Sequence, residues 1–197
     1  MWKKILAGLL ILTGVVTLIA CGSVLESTQK QGVSSKTTPS NGKVLVVYFS
    51  ASGNTKRVAE TVANQENGTL FEIKPSQLYT EEDLDYRNED SRVTKEHKQP
   101  GLRPAYDGDV ESWDSYDTVY IGYPIWWGQA PNVIYTFIEH HNFNGKKVIP
   151  FCTSSSSPLG TSGTNLVKAA GTGNWQEGVR FSGGVSTTEV LNWLKTK

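Results

Sequence analysis

Val44-Leu45-Val46-Val47-Tyr48-Phe49 runs directly into Ser50-Ala51-Ser52-Gly53-Asn54-Thr55, which opens a segment with apolar residues at Val58, Ala59, Val62 and Ala63. The first block is almost unbroken in its apolar character, as a parallel strand covered on both faces must be. The last repeats its apolar residues at helical spacing. Between them lies a hydroxyl-rich turn at a helix start. The first N–H groups of a helix have no intrahelical partner, and the macrodipole leaves roughly half a positive charge there, so such a turn holds a phosphate without any lysine. Ser50, Ser52, Asn54 and Thr55 bring side-chain donors, and Gly53 lets the backbone close around the oxygens. Taken alone, the same six residues also read as an ordinary turn with an N-cap.

A second segment bears on that choice. After the apolar run Thr118-Val119-Tyr120-Ile121 comes Gly122-Tyr123-Pro124-Ile125-Trp126-Trp127-Gly128-Gln129-Ala130-Pro131, a strand end that becomes a loop with three large aromatic residues. Aromatic rings usually pack on the protein's own core. Two adjacent tryptophans on an extended chain, however, cannot both point inward, so one of them is free to meet a flat ligand.

These two segments, in this order, resemble those of the flavodoxin family, whose phosphate loop reads roughly [ST]-x-[ST]-G-x-T. Ser50, Ser52, Gly53 and Thr55 match it, with Asn54 between the last two. The loop around Tyr123, Pro124, Trp126, Trp127 and Gly128 is similar to the Tyr-Pro-x-Trp-Trp-Gly loop of flavodoxin-like lipoproteins and flavin reductases. The resemblance implies flavin mononucleotide (FMN) as cofactor, with the phosphate at residues 50–55 and the isoalloxazine ring against Trp126 or Trp127. It also implies a backbone bond from flexible Gly128 to N5 of the reduced ring. The family's third loop usually reads Thr-Ser-Gly-Gly-Ser, whereas this chain has Thr153-Ser154-Ser155-Ser156-Ser157-Pro158-Leu159-Gly160. Serine at 155 and 156 lacks glycine's freedom at positive φ, so the loop is expected to take its own path. Thr153, Ser154 and Ser155 remain candidates for the polar edge of the ring, with a plain linker as the alternative.

The rest of the chain fits one α/β domain with an appended N-terminus. Lys3 and Lys4 precede about 16 apolar residues from Ile5 to Ala20, short of the roughly 20 a membrane-spanning helix needs and suited to a signal peptide over residues 1–20. The segment ends in Leu18-Ile19-Ala20-Cys21, which resembles a bacterial lipobox with Cys21 as the lipidated residue. An uncleaved anchor or a plain secretory signal is the alternative, and each of the three readings implies export. A lipoprotein carries more than one acyl chain, enough for stable attachment to a membrane surface. Residues 21–42, rich in Ser, Thr, Gln, Lys and Gly, read as a flexible linker.

The folded domain is expected over residues 43–197. Its strands are read at 43–49, 69–74, 118–121, 147–152 and 179–182, with helices over 55–67, after Pro131 and after the capping box Ser186-Thr187-Thr188-Glu189. Alternating strands and helices with right-handed crossovers give a doubly wound five-stranded parallel sheet with helices on both faces, and the family order would be 2-1-3-4-5. Ligands of such sheets sit at the carboxyl ends of the strands, at the switch point between the first and third, where both motif loops fall. Pro150 conflicts with an interior fourth strand, so a bulge or a missing bond is expected there. An insert over residues 76–113 is expected to pack through Leu78, Tyr79, Leu84 and Tyr86 and to shape the substrate face of the pocket.

Charge and chemistry exclude several classes. The 197 residues hold 19 basic and 19 acidic side chains; without Lys3 and Lys4 the balance is 17 to 19. No basic face presents itself to nucleic acid. Typical flavodoxins are far more acidic, so electrostatic docking to a basic partner finds little support. Cys152 ends an apolar run and reads as a packing residue, not a redox thiol. His97, His140 and His141 read as solvated, with no metal site expected. No catalytic dyad is evident, and neither a Gly-x-Ser-x-Gly elbow nor a Gly-x-x-x-x-Gly-Lys-[ST] loop occurs. Three functions stay open. One is an exported, membrane-tethered flavoprotein passing electrons between a membrane donor or redox protein and an extracytoplasmic acceptor. The others are an FMN-dependent quinone or nitro-compound reductase and a non-redox lipoprotein binding another phosphorylated ligand or a protein.

Overall fold

The computed structural model of the protein describes residues 42–197; the signal peptide, Cys21 and the linker up to residue 41 lie outside the described residues. In chain order the elements are β1 (Lys43–Tyr48), α1 (Asn54–Glu66), β2 (Thr69–Glu72), β3 (Lys74–Pro75), α2 (Arg92–His97), β4 (Tyr106–Asp107), β5 (Tyr116–Pro124), α3 (Asn132–His140), β6 (Lys147–Ser154), α4 (Ser162–Ala170), β7 (Asn174–Trp175), β8 (Val179–Ser182) and α5 (Thr187–Leu194). A short 3₁₀ turn, Trp113–Ser115, precedes β5.

The main sheet is parallel throughout, in the order β2-β1-β5-β6-β7, with β8 also paired to β6. Side chains alternate across it with the period of two that strands impose. From β1, Leu45 and Val47 face a core shared with Val133, Ile134 and Phe137 of α3 and Leu166 of α4. Val46 and Tyr48 face the opposite core, with Val58, Ala59 and Val62 of α1 and Val190 and Leu194 of α5. Burying each such aliphatic or phenyl side chain is worth about 1.5–3 kcal/mol, which is why β1, β5 and β6 read as near-continuous apolar runs.

The fifth strand position is filled in two pieces, which corrects the expected count of five strands to six, and the reason is Pro150. Register with β5 is continuous through Ile121 and Pro150. On the other side, β7 pairs at Lys147 and Val148, and β8 only from Phe151 onward. Asn174 N–H donates to Lys146 O and Gln176 N–H to Val148 O, so even-numbered residues of β6 face this side. The proline, which has no N–H to give, therefore stands at the gap between the two short partners. No bulge is required in β6.

The insert hangs between β3 and β4, an antiparallel ribbon pairing Lys74 with Asp107 and Pro75 with Tyr106. Its helix α2 buries Val93, Thr94 and Glu96, with Ser91 accepting from Thr94 N–H as its cap. Leu78 and Tyr86 are exposed, contrary to the expected packing; Tyr79 does pack inward.

Candidate functional site

The carboxyl ends of β1, β5 and β6 bring three loops together. β1 delivers Phe49, whose N–H donates to Gly122 O at 3.0 Å, and the chain then turns at Gly53, with φ +82°, into α1. No side chain caps this helix, and its first turn holds no acidic residue, so the end is left open to an anion. Ser50 Oγ is buried and has no hydrogen-bond partner among the described residues. A buried hydroxyl without a partner costs free energy unless something else bonds to it. Ser52 and Asn54 lie at the rim, bonded to each other at 3.2 Å. Thr55 is buried and shares a 2.8 Å bond with Thr153 Oγ1, joining the first loop to the third. An orphan hydroxyl, an uncapped helix end and a left-handed glycine make a cradle suited to a phosphate.

The aromatic loop closes on itself. Trp126 and Gln129 exchange backbone bonds of 2.9 Å in both directions, and the two residues between them, Trp127 and Gly128, have φ of +48° and +77°. Two central residues at positive φ make a type I′ turn, which normally asks for Asn-Gly. Holding a tryptophan in that conformation costs on the order of 1–2 kcal/mol, and the surroundings hold it there. Trp126 is half-buried and meets Phe49 edge-on at 5.6 Å and Tyr79 at 5.4 Å. Trp127 is 40% exposed and stacks on the His97 imidazole at 4.6 Å with an 8° interplanar angle. Tyr123 stands apart from the two tryptophans. It is fully buried in β5, its hydroxyl shares a 3.1 Å bond with Ser162, and burial pushes the phenol well above its usual range. It supports the loop from the core side, while Pro124 ends the strand beside Thr153.

The third loop solves the problem of its missing glycines without positive φ at Ser155 or Ser156. Ser154 Oγ donates to Ser157 O at 2.7 Å, and Arg180 from β8 donates Nη2 to Ser154 O and Ser155 O at 2.8 and 2.9 Å. Ser155 and Ser156 are left at the surface of a cavity of about 480 Å³ that Ile125, Trp126, Trp127 and Tyr86 also line. One wall is apolar and aromatic and the other is made of Ser154, Ser155, Ser156 and Ser157, a pairing and a size that suit a flat organic cofactor with a polar edge. Cys152 is buried beneath, its thiol pushed up to about 12 by burial, which leaves it inert at neutral pH.

Four side chains of the site were not foreseen as such: Phe49, Tyr79, His97 and Arg180. Phe49 and Tyr79 were visible as aromatics near the motifs, whereas nothing local marks Arg180 as a support for a loop 25 residues away. One expectation about histidine is corrected, that for His141. His97 is exposed, as expected, and in addition stacks on Trp127. The His141 side chain is only 7% exposed, bonded to Phe137 O at 2.9 Å and to Asp109 at 3.0 Å, because its ring packs on Phe137.

A family model described as flavodoxin matches residues 43–197. No curated protein matches the chain. Among solved structures it is similar to proteins assigned as flavoproteins from Bacteroides eggerthii (44% identity, TM-score 0.73) and Bacteroides uniformis (44%, 0.74). Each comparison covers 78% of this chain, with 96% and 98% of the respective relative. A flavoprotein from Lactobacillus acidophilus, solved in complex with FMN, shares the fold at 24% identity and TM-score 0.58, over 78% of this chain and 99% of its own. The cradle at the end of β1, the aromatic turn after β5 and a match spanning the whole described domain lead to one conclusion: the chain belongs to the flavodoxin family.

Proposed function

We propose that this protein is an FMN flavoprotein, tethered through a lipidated Cys21 to the extracytoplasmic face of a bacterial membrane, that passes electrons between a membrane donor or redox protein and an acceptor outside the cytoplasm. The observation that carries the cofactor is the buried, partnerless Ser50 hydroxyl at the open end of α1. The assignment of the Bacteroides relatives as flavoproteins agrees with it. The phosphate would be held by Ser50, Ser52, Asn54, Thr55 and the first amides of α1, and the ring by Trp126, Trp127 and the loop from Thr153 to Ser155. Bound FMN supplies one- and two-electron redox chemistry. The chain's own residues fix its position, keep water from the ring's inner face and stiffen the loops around it. Tethering is supported by Lys3, Lys4 and the apolar run ending in Leu18-Ile19-Ala20-Cys21.

The full chain, expressed in a bacterium and extracted from membranes with detergent, is expected to carry a flavin chromophore in equimolar amount that mass spectrometry identifies as FMN. Cys21→Ser is expected to move the protein to the soluble extracytoplasmic fraction. Colourless protein that takes up no FMN defeats the cofactor reading, and unchanged membrane retention of the Cys21→Ser chain defeats the anchor. An FMN-dependent reductase is the second reading, favoured by a further cavity of about 350 Å³ that also borders Trp126 and Trp127 and is lined by Ala130 and Tyr135.

A further inference from the structure

Behind the aromatic turn lies a second cavity, of about 350 Å³, between the insert, the turn and the first residues of α3. Trp127 and Trp126 form a wall common to this cavity and the one in front of the third loop. Val93 also borders both, whereas Ala130, Tyr135 and Asn165 line this cavity and do not line the first.

Its chemistry is selective. The indoles, Tyr135, Val93 and Ala130 make most of the wall apolar and flat. The one carboxylate in the wall is Glu96, 5% exposed, and it is already engaged: Arg92 Nε donates to it at 2.7 Å and Tyr79 Oη at 2.7 Å. No lysine or arginine lines the cavity. The His97 imidazole also lines it, stacked on Trp127, but no permanently cationic side chain does, so desolvating an anionic guest there is expensive. Polar capacity remains at one edge. Asn132 spends its amide nitrogen on Glu96 O and Gln99 O, and Asn165 donates to Gln129 Oε1 at 2.6 Å. The Asn132 and Asn165 amide oxygens and the Gln129 amide nitrogen are left without partners among the described residues.

We infer that this cavity is a binding site for a neutral, flat aromatic molecule carrying a hydroxyl or carbonyl group, held by its rings against Trp126, Trp127 and Tyr135 and by its polar group at the Gln129–Asn132–Asn165 edge. The site is built from protein alone, so it stands whether or not FMN occupies the other side of Trp127. Such a guest would lie one indole away from the flavin cavity, which gives the strained Trp127 conformation a use.

The test is calorimetric titration of the detergent-solubilised full chain with 2-naphthol at neutral pH, before and after FMN loading, with flavin absorbance recorded separately. One equivalent is expected to bind saturably in both states. Ala130→Leu, which fills this cavity only, is expected to weaken 2-naphthol by at least about tenfold with FMN affinity within about twofold of the parent. Ser156→Trp, which intrudes only on the other cavity, should leave 2-naphthol binding unchanged. The anion 2-naphthoate should bind about tenfold more weakly than 2-naphthol. Should Ala130→Leu fail to fold, Asn165→Leu replaces it, removing the polar edge with the same expected loss. Absence of saturable binding, displacement of 2-naphthol by FMN, full affinity in both Ala130→Leu and Asn165→Leu, or equal affinity for the anion overturns the inference. Failure of FMN to bind defeats the flavin reading alone, since the 2-naphthol titration then still reads this cavity.

Discussion

The two ends of the proposed flavin cleft are constructed in opposite ways. The phosphate end is local: within a dozen residues a strand stops, Gly53 turns the chain, and α1 begins with its amides open. The ring end is assembled from distant pieces, with Trp126 packed on Phe49 from β1 and Tyr79 from the insert, Trp127 stacked on His97 of α2, and the third loop pinned by Arg180 of β8. On the proposed assignment one end would bind through backbone geometry, which tolerates changes elsewhere. The other depends on side chains that must arrive from three segments together.

The sharpest way to separate them is charge at the phosphate end. Ser52→Asp puts a carboxylate on an exposed residue at the helix start, where it would slightly stabilise the free protein by the macrodipole. Against a bound phosphate a few ångströms away it is repulsive by up to about 4 kcal/mol at a surface-like dielectric, so FMN affinity should fall about 100-fold after screening. Riboflavin, which lacks the phosphate, should bind Ser52→Asp as it binds the parent. Equal losses for both ligands would place the phosphate elsewhere.

Gly128→Val attacks the ring end. At φ +77° a β-branched residue costs on the order of 1–2 kcal/mol. FMN and riboflavin should therefore both lose about tenfold, and the reduction potentials should shift because the turn next to the ring has moved. A loss confined to FMN would erase the distinction between the ends, and unchanged potentials would remove Gly128 from the ring's surroundings.

The same contrast explains what the amino-acid sequence discloses. β1, β5 and β6 are legible within a few residues because strands buried on both faces must be apolar throughout, and Gly53 and the hydroxyls beside it are legible because the cradle is contiguous. Helix α4 escapes notice because Ser162-Gly163-Thr164 opens it with poor helix formers and only Leu166 and Ser162 are buried. Helix α2 escapes because it buries Glu96 and Thr94 with a single valine, leaving no apolar stripe to read. The burial of Glu96 depends on Tyr79 and Arg92 being folded against it, a tertiary fact that no local pattern carries. The break at Pro150 was visible as a conflict, but its resolution by two short strands was not.

Tyr79→Phe asks how much the insert's polar anchor matters to the ring end. The hydroxyl donates to Glu96 at 2.7 Å, and that burial with the adjacent carboxylate pushes the phenol above its usual range. Removing it leaves Arg92 as the carboxylate's remaining side-chain partner among the described residues, at a cost of about 1–2 kcal/mol in stability, read as a lower urea midpoint. FMN affinity should drop by less than Gly128→Val produces, since the Tyr79 ring still meets Trp126. No change in the urea midpoint would mean the anchor is slack.

The insert is also tied to α3, where Arg103 donates Nε and Nη2 to Glu139 at 2.8 and 2.7 Å. Those bonds hold the Glu139 carboxyl below its usual range, and Arg103 correspondingly above. A carboxyl depressed in the folded state contributes stability above its unfolded pKa of about 4.3 and loses it as pH falls through the folded value. Both side chains are about a third exposed, so the contribution is at most about 1 kcal/mol in spite of the bidentate geometry. Glu139→Gln should therefore lower stability by about 0.5 kcal/mol at neutral pH, and the difference from the parent should shrink towards zero in acid, below the range where Glu139 is ionised. FMN affinity should not follow it, because neither Arg103 nor Glu139 lines the cavity in front of the third loop. If Glu139→Gln weakened FMN as much as Tyr79→Phe, the insert would act as one rigid plate, and the ring end would depend on its whole perimeter instead of the few aromatics that touch it.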